Sequence, residues 1–208
     1  MTINKKLKHT LGLAIIGAAS LIGNVQAQTQ TMIVAGGCFW CVESDFESIE
    51  GVSEAVSGYI GGHTKNPTYR QVAAKKTGHY EAVEITFDDE IVSLKTLSDY
   101  YWKTIDPTDA KGQFCDKGSP YLTAMFYQSE EQKTVFEASL EQVEANKPFS
   151  ENIVTPIIAA TEFYPAEDYH QDYYTKNPKR YSYYRFSCRR DSTIEKLWGS
   201  VESKKHHK

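Results

Sequence analysis

Residues 31–51, TMIVAGGCFWCVESDFESIEG, predict a β-strand that passes through a glycine pair directly into a helix. Residues 31–35 form a short apolar run. The next large apolar side chains, at positions 39, 42, 46 and 49, recur at the spacing of one helix face. Gly51 follows the last of them, as a glycine that ends a helix does. This unit indicates a fold in which helices pack on a β-sheet.

The rest of the chain alternates between strand and helix patterns, without an internal repeat or a linker. The predicted strands are residues 52–62, 79–88, 121–127 and 153–160, and the predicted helices are residues 66–78, 93–106 and 129–147. Ser129 is positioned to cap the last helix, and Pro156 favours an edge or a bulge for the last strand. The sequence predicts one α+β domain, a two-layer α/β sandwich with a mixed sheet and a ferredoxin-like core.

Residues 163–208 have a different composition. Seven tyrosines and two prolines lie between residues 163 and 188, with too little aliphatic content for a separate core. Tyrosine has an apolar body and a polar tip, so such rings are expected to be half buried. We expect a long irregular C-terminal segment that wraps over the domain.

The first 27 residues are typical of a secretory signal peptide. They have a basic start with three lysines, an apolar run at residues 11–23 that is too short to span a bilayer, and small or tolerated residues before a cleavage point after Ala27. An uncleaved interfacial anchor is the alternative. Residues 28–208 are thus expected to be exported, to a bacterial periplasm or outside the cell, without stable membrane insertion after cleavage.

The charge balance argues against a nucleic-acid partner. The chain has 23 Lys and Arg against 27 Asp and Glu, a formal net charge of -4, and cleavage after Ala27 would remove three lysines and no acid. Nucleic-acid binding needs basic side chains clustered along a groove or face.

Cys38 directly follows the glycine pair, at the first turn of the predicted helix. Unpaired backbone N–H groups and the helix dipole favour an anion there. The sequence therefore predicts a thiol more acidic than a free cysteine, with a reactive thiolate form. A buried structural cysteine is the alternative, since free cysteine is among the most buried residue types.

Cys41 lies one helical turn after Cys38, within disulfide reach, which favours a redox dithiol. A zinc site would need a second pair of ligands at similarly tight spacing. Cys115 and Cys188 stand alone and the histidines form no H-x3-H pattern, so no metal site is predicted.

Phe39 and Trp40 place two large rings beside the candidate nucleophile. They would form an apolar cup for a small alkyl group, or they could belong to the core. The first alternative suggests a substrate with a methyl or methylene group next to the atom under attack.

Six segments together resemble the A-type peptide-methionine (S)-S-oxide reductases, in order and without large gaps, over roughly residues 32–200. They are GGCFWCVE (36–43), SGYIGGHTKNPTYRQV (57–72), TGHYEAVEITFD (77–88), IDPTD (105–109), GQFCDKGSPY (112–121) and FYPAEDYHQDYYTKNP (163–178). The resemblance implies a single reductase domain that restores methionine from its S-sulfoxide, in proteins and as the free amino acid, after oxidative damage.

The resemblance also assigns roles to individual residues. Cys38 matches the nucleophile, and Glu81 matches the acid that protonates the sulfoxide oxygen. A sulfoxide sulfur is a poor electrophile until its oxygen accepts a proton or strong hydrogen bonds, and a carboxyl kept protonated by an apolar pocket can supply both. The other matches are the S-methyl pocket of Phe39 and Trp40, the oxygen-holding phenols Tyr69 and Tyr121, and Asp116, which lines the site.

The implied cycle leaves Cys38 as a sulfenic acid, which a second thiol converts to a disulfide that an external thioredoxin-like dithiol reduces. Cys41 is expected to resolve first, with Cys188 as a second relay, and Cys115 is expected to be a small packed residue. No bound cofactor is implied, and we expect a monomer.

Two positions depart from the family pattern. Leu122 stands where an arginine is frequent, which bears on substrate contacts, and Arg189 stands where related tails have glycine, which bears on the geometry around Cys188. Two other functions remain open. A general thiol–disulfide oxidoreductase would need no Glu81, and a secreted binding domain would hold all four cysteines in two structural disulfides.

Overall fold

A computed structural model describes residues 29–199 of the 208-residue chain. The predicted signal peptide and residues 200–208 of the predicted tail lie outside the described residues. Within residues 29–199, no helix combines the length and apolar character needed to cross a membrane.

The strands are β1 (Thr29–Gly36), β2 (Val52–Ile60), β3 (Tyr80–Asp88), β4 (Gly112–Gln113), β5 (Asp116–Lys117), β6 (Thr123–Tyr127), β7 (Ile157–Ala159) and β8 (Tyr164–Pro165). The helices are α1 (Phe39–Glu47), α2 (Tyr69–Ala73), α3 (Leu94–Trp102), α4 (Glu130–Asn146), α5 (Tyr173–Lys176), α6 (Pro178–Ser187) and α7 (Arg190–Trp198), and a 3₁₀ turn spans Ser119–Tyr121.

Six strands form one sheet in the order β7-β6-β1-β3-β2-β8, and β4 and β5 form a separate hairpin. β6 and β7 run parallel, whereas the pairs of β1 with β3 and β6, and of β2 with β3 and β8, are antiparallel. The predicted mixed sheet and the α+β class are confirmed. β7 begins directly after Pro156 and forms an edge of the sheet, as the missing N–H of proline predicts.

Alternate residues of β1 face opposite sides of the sheet, because successive side chains of a strand point in opposite directions. Met32 and Val34 belong to the main core, which they share with side chains of α1, α3 and α4, whereas Ile33 and Ala35 belong to a smaller cluster. The main core therefore fixes the direction in which α1 leaves β1.

The C-terminal segment is mostly helical over residues 173–198, where the sequence predicts an irregular wrap. Pro178 begins α6, at a position where its missing N–H is not needed. Tyr181 faces inward and is buried, whereas Tyr183 and Phe186 face outward. The inner face of α6 is aromatic. The sequence did not predict this helix because the segment has few aliphatic side chains.

Arg190 and Arg185 fasten the C-terminal segment to the start of the domain. The buried Arg190 donates to the carbonyl oxygens of Gly36 (3.0 Å) and Thr104 (2.8 Å). Asp45 on α1 accepts from Arg185 at 2.7 Å and from Arg190 at 3.3 Å. Because Gly36 ends β1, the C-terminal segment is held beside the glycine turn.

Candidate active site

The glycine turn between β1 and α1 places Cys38 at the N-cap of α1. Gly37 has a φ of +84°, and a Cβ there would lie 2.6 Å from the Cβ of Gln113. Glycine is required because it allows both this backbone conformation and the close approach of the β4–β5 hairpin. The buried Gln113 amide bonds to the backbone of Asp106 in both directions, at 2.9 and 2.7 Å. This loop is thereby fixed beside Cys38.

Glu81 reaches the same place from β3. Val83, two residues further along this strand, faces the main core, so Glu81 points to the same side of the sheet. Its carboxyl is 2% exposed and accepts a hydrogen bond of 3.2 Å from the backbone N–H of Phe39. Burial raises the pKa of Glu81 to about 8, against the opposing effect of this hydrogen bond. The carboxyl is therefore protonated at neutral pH and can donate a proton.

Cys38 and Cys41 are buried thiols that share a hydrogen bond, and their pKa values differ from the prediction. Burial raises the pKa of Cys38 well above its ordinary value, and the hydrogen bond to Cys41 adds to this shift. That hydrogen bond lowers the pKa of Cys41, and the guanidinium groups of Arg190 and Arg185 lower it further. The prediction that Cys38 is more acidic than a free cysteine is wrong for the structure with both thiols reduced. Desolvation of the buried thiol raises its pKa by more than the helix N-terminus lowers it.

Two phenols and a second carboxyl complete the surroundings of Cys38. Tyr69 is the first residue of α2, Tyr121 ends the 3₁₀ turn, and Asp116 lies on β5. Burial raises the pKa of Tyr69 to about 12 and also raises the pKa of Tyr121, and the nearby Glu81 adds to both shifts. Both phenols therefore remain hydrogen-bond donors. The structure brings together the five residues that the sequence predicts for catalysis.

Phe39 and Trp40 occupy different environments. Phe39 is 1% exposed and belongs to the main core, with its ring centroid 5.9 Å from that of Tyr59. Trp40 is half-buried and stacks on Tyr173 of α5, with 3.7 Å between ring centroids and an interplanar angle of 6°. Phe39 lies under the site and Trp40 forms a wall of it. Their role as an S-methyl pocket stays a prediction.

Tyr184 of α6 belongs to the site, although sequence reasoning did not single it out. Its hydroxyl donates to Oδ2 of Asp116 and also lies within hydrogen-bonding reach of Cys38. Its ring lies edge-on to Trp40, with centroids 6.0 Å apart. The sequence offers no signal that distinguishes Tyr184 from the other tyrosines of the segment.

His170 is a second residue that sequence reasoning did not assign. It is 2% exposed, and its ring lies against Phe39 and Tyr69, at centroid distances of 4.9 and 4.4 Å. Nδ1 accepts a hydrogen bond of 3.1 Å from the indole N–H of Trp40, so Nε2 carries the proton of the neutral ring. Burial lowers the pKa of His170, which favours this neutral form. Within residues 29–199, Nε2 has no hydrogen-bond partner.

Cys115 and Cys188, which are 73 positions apart in sequence, form a disulfide with 4.9 Å between their Cα atoms. The prediction that Cys115 is a small packed residue is wrong, because Cys115 is exposed and bonded. The bond joins the β4–β5 hairpin to the C-terminal end of α6. Cys41 lies beside Cys38, as its expected role as first resolving residue requires, whereas Cys188 is paired elsewhere. The order of resolution stays a prediction.

The two departures from the family pattern have different surroundings. Arg189 has a φ of +57°, in the left-handed region that favours glycine, which gives a physical reason for glycine at this position in related tails. Leu122 lines a cavity of about 200 Å³ with Tyr80, Asp109 and Val154.

In the part of the chain that the structure describes, two groups of side chains each place three potential metal ligands within 4.8 Å of one another. In the first, the sulfur atoms of Cys115 and Cys188 are used in their disulfide. In the second, Glu43 accepts hydrogen bonds from Ser57 Oγ and from the backbone N–H of Asp172, and Glu47 accepts one of 2.5 Å from Tyr174. The second group thus connects α1 with α5.

Comparison with known proteins gives the family and the fold. The family model for peptide methionine sulfoxide reductase matches residues 30–202. Peptide methionine sulfoxide reductase MsrA 2 of Staphylococcus aureus (strain Mu50) is 50% identical over 167 residues, which cover 80% of this chain and 94% of that protein.

Solved structures give the same result for the fold. Methionine sulfoxide reductase A of Corynebacterium diphtheriae aligns with a TM-score of 0.64 and 31% identity, over 74% of this chain and 77% of that one. Reduced Mxr1 from Saccharomyces cerevisiae aligns with a TM-score of 0.69 and 26% identity, over 74% and 88%. Mxr1 in complex with Trx2 aligns at 0.51 and 18% identity, over 74% and 91%, and supports the fold alone.

Proposed function

The chain belongs to the peptide methionine sulfoxide reductase family, and from this premise we propose how its site reduces methionine-S-sulfoxide to methionine. The observation that carries the proposal is the buried, protonated carboxyl of Glu81, held by the N–H of Phe39 next to the Cys38 thiol. A general thiol–disulfide oxidoreductase would not need such an acid, because disulfide exchange breaks no sulfur–oxygen bond.

Glu81 activates the substrate by donating its proton to the sulfoxide oxygen. The hydroxyl groups of Tyr69 and Tyr121 hold the same oxygen, because both phenols remain protonated donors in the site. The sulfur then becomes electrophilic, and the sulfur of Cys38 attacks it. Phe39 and Trp40 contact the S-methyl group of the substrate, and Asp116 lines the oxygen side.

The reaction oxidises Cys38 by two electrons. The oxygen passes from the substrate to Cys38, which becomes a sulfenic acid, and methionine leaves. The Cys41 thiol condenses with this sulfenic acid to form a Cys38–Cys41 disulfide and release water. An external dithiol then reduces the disulfide and is itself oxidised, so the cycle needs no bound cofactor. A thioredoxin-like donor is supported by the yeast relative Mxr1, whose structure was solved in complex with Trx2.

We also propose that the mature chain acts as a monomer outside the cytoplasm, in the periplasm or as a secreted protein. The basic and apolar pattern of residues 1–27 supports export. Protease protection in spheroplasts, together with the N-terminal sequence of the recovered protein, tests the location and the cleavage after Ala27. Light scattering of the purified protein tests the oligomeric state.

The deciding experiment compares peptides that contain the separate S and R epimers of methionine sulfoxide, with dithiothreitol as reductant. We expect rapid methionine formation from the S epimer alone, and its loss in Cys38→Ser. Exposed Ser187, changed to Ala, is the matched control for a small substitution. Reduction of neither epimer, together with activity in a disulfide exchange assay, would instead identify a general thiol oxidoreductase.

A further inference from the structure

A cavity of about 200 Å³ lies beside the candidate active site and has no role in the reaction proposed above. Six of its lining residues define what we call the Leu122 pocket: Tyr80, Asp109, Leu122, Thr123, Val154 and Pro156. Pockets that hold a whole small-molecule ligand have volumes of about 300–1,000 Å³. A cavity of this size is therefore suited to one side chain of a larger molecule.

The Leu122 pocket shares two segments of the chain with the site. Tyr80 directly precedes Glu81 on β3, and Leu122 directly follows Tyr121, which ends the 3₁₀ turn. Each segment thus contributes one residue to the site and the neighbouring residue to the pocket. A ligand that fills the pocket lies next to a substrate held by Glu81 and Tyr121.

The pocket and the site lie on opposite sides of the same end of the sheet. Glu81 shares its side with Val83 of the main core, whereas Tyr80 packs edge-on against Phe126 of the smaller cluster, with ring centroids 5.4 Å apart. Tyr80 is the first residue of β3 and Thr123 is the first residue of β6, so the chain ends of both strands are at this edge. A layer of side chains on a sheet is about 10 Å thick, a distance that an extended peptide covers in about three residues. A peptide bound at Glu81 can therefore pass around the end of the sheet to the pocket.

The walls that the pocket offers to a ligand are largely aliphatic. Leu122 is half-buried, Val154 is 44% exposed, and Pro156 is exposed beside it. An apolar ligand would remove these side chains from contact with water, which is favourable in proportion to the apolar area buried.

Two polar side chains of the pocket already have partners within the protein. The carboxylate of Asp109 forms an ion pair with Nζ of Lys117. The hydroxyl of Thr123 shares a hydrogen bond of 2.7 Å with that of the buried Thr155. A charged or strongly polar ligand would lose water at the aliphatic walls without gaining either group as a free partner. The pocket therefore favours an apolar side chain.

On the basis of the reductase function proposed above, we propose that the Leu122 pocket binds an apolar side chain of a peptide substrate, roughly two to four residues from its oxidised methionine. The enzyme thereby prefers oxidised methionines in apolar stretches of sequence to those among charged residues. Such stretches are buried in folded proteins and become accessible when these unfold. Free methionine sulfoxide has no residue that could occupy the pocket.

The pocket should affect binding more than chemistry. Its contact with the peptide is remote from the reacting sulfur, so it is equally strong in the bound substrate and in the transition state. Such a contact lowers KM and leaves kcat nearly unchanged. One apolar side chain in a hydrophobic pocket should raise kcat/KM about tenfold.

The first test measures kcat/KM for a series of S-sulfoxide peptides, with dithiothreitol as reductant. Each peptide contains the oxidised methionine in a sequence of glycine and serine, and a single leucine replaces serine at each flanking position in turn. We expect leucine to raise kcat/KM about tenfold, chiefly through KM, at one position roughly two to four residues from the methionine, whereas aspartate there should give no gain. Equal values for all peptides would overturn the pocket proposal but not the reductase function. Reduction of none of the peptides would contradict the reductase function itself.

The second test changes the pocket and compares the preferred leucine peptide with its serine counterpart. In Val154→Asp, a substitution at a partly exposed position, the ratio of the two kcat/KM values should fall to about one because the carboxylate opposes an apolar ligand. Leu122→Arg should likewise abolish the preference for leucine and favour the aspartate peptide. Because the ratio compares two peptides on one variant, a general loss of activity does not change it.

Ile91→Asp is the matched control, because Ile91 is also a branched aliphatic side chain, 59% exposed in the loop after β3. This variant should keep the wild-type ratio. An unchanged ratio in both Val154→Asp and Leu122→Arg would overturn the proposal. A ratio that falls equally in Ile91→Asp would also overturn it, since the effect would then come from the added charge and not from the pocket.

Discussion

The backbone N–H of Phe39 donates a 3.2 Å hydrogen bond to Oε2 of Glu81, so the start of α1 and the strand β3 share one buried contact. This contact places an acid from the sheet beside a nucleophile from the helix N-cap. Because Glu81 is only 2% exposed, burial raises its pKa to about 8, and the carboxyl stays protonated at neutral pH. The acid and the nucleophile are thereby positioned before any substrate arrives.

Reduction should lose its acid catalyst above the pKa of Glu81, which is about 8. We expect the single-turnover rate of methionine release by pre-reduced protein to stop rising near this value, because each further pH unit removes the Glu81 proton in the proportion in which it adds Cys38 thiolate. Rapid-quench measurements between pH 6 and 10 test this without interference from ionisation of the reductant. A rate that continues to rise through pH 9 would show that ionisation of Cys38 controls the step instead.

The same carboxyl should reduce stability at high pH. Its pKa is about 8 in the folded chain, against an ordinary 4.5, so the folded state holds a proton that the unfolded state releases between these values. The carboxyl therefore makes its full contribution to the free energy of unfolding below pH 4.5. This contribution decreases as the pH rises from 4.5 to 8. Relative to wild type, Glu81→Gln should gain on the order of a few kcal/mol between pH 5 and pH 9, measured by urea unfolding. An equal difference at both pH values would exclude a buried ionisation.

Tyr184→Phe should make Cys38 harder to ionise. The Tyr184 hydroxyl lowers the pKa of Cys38 through a hydrogen bond, and phenylalanine preserves the ring against Trp40 without this donor. We expect single-turnover reduction near pH 7 to slow about tenfold, the effect of one charge-assisted hydrogen bond, with the rising limb of the pH profile moved to higher pH. Tyr183→Phe is the matched control, because Tyr183 is 75% exposed on the same helix. Equal effects of both substitutions would contradict a specific role for Tyr184.

Arg190→Met should detach the C-terminal segment. The substitution leaves the carbonyl oxygens of Gly36 and Thr104 without their donor, and each buried acceptor costs roughly 1–3 kcal/mol. We expect a loss of stability of about 2–5 kcal/mol and faster hydrogen exchange in residues 178–198. Exposed Arg180, changed to Met, is the control. Unchanged exchange in this segment would mean that other contacts hold it.

Arg189→Gly should stabilise the protein. The backbone of Arg189 has a φ of +57°, which costs a residue with a side chain about 1–2 kcal/mol. Glycine also adopts more conformations in the unfolded chain, so the net gain should be about 1 kcal/mol or less. Thermal unfolding of the oxidised protein measures this difference. A decrease in melting temperature would show that the Arg189 side chain makes contacts worth more than the backbone strain.

The sequence predicted the sheet and the helices that carry the site, because their periodicity reflects burial on one side. β1 and α1 lie where the run TMIVAGGCFW places them. Glu81 could not be predicted in this way, because without the resemblance it is one of 27 acidic residues. That it points into the site follows only from the side of the sheet on which it lies in β3 and from its contact with Phe39.

The remaining features depend on contacts between distant parts of the chain. Spacing cannot pair Cys115 with Cys188 across 73 residues, nor does it distinguish Tyr184 from neighbouring tyrosines. The raised pKa of Cys38 has the same origin. The helix N-terminus is visible in the sequence, whereas the desolvation that outweighs it comes from α5 and α6.

The hydrogen bond from Arg190 to the carbonyl of Gly36 joins residues 154 positions apart, which has a consequence for the order of synthesis. A ribosome makes β1, the glycine turn and the nucleophile first, and the side chain that fastens this turn emerges only 154 positions after Gly36. A nascent chain that ends before residue 190 therefore contains every predicted catalytic residue and still lacks this fastening. Premature termination directly before Arg190 should yield a product that is incompletely assembled.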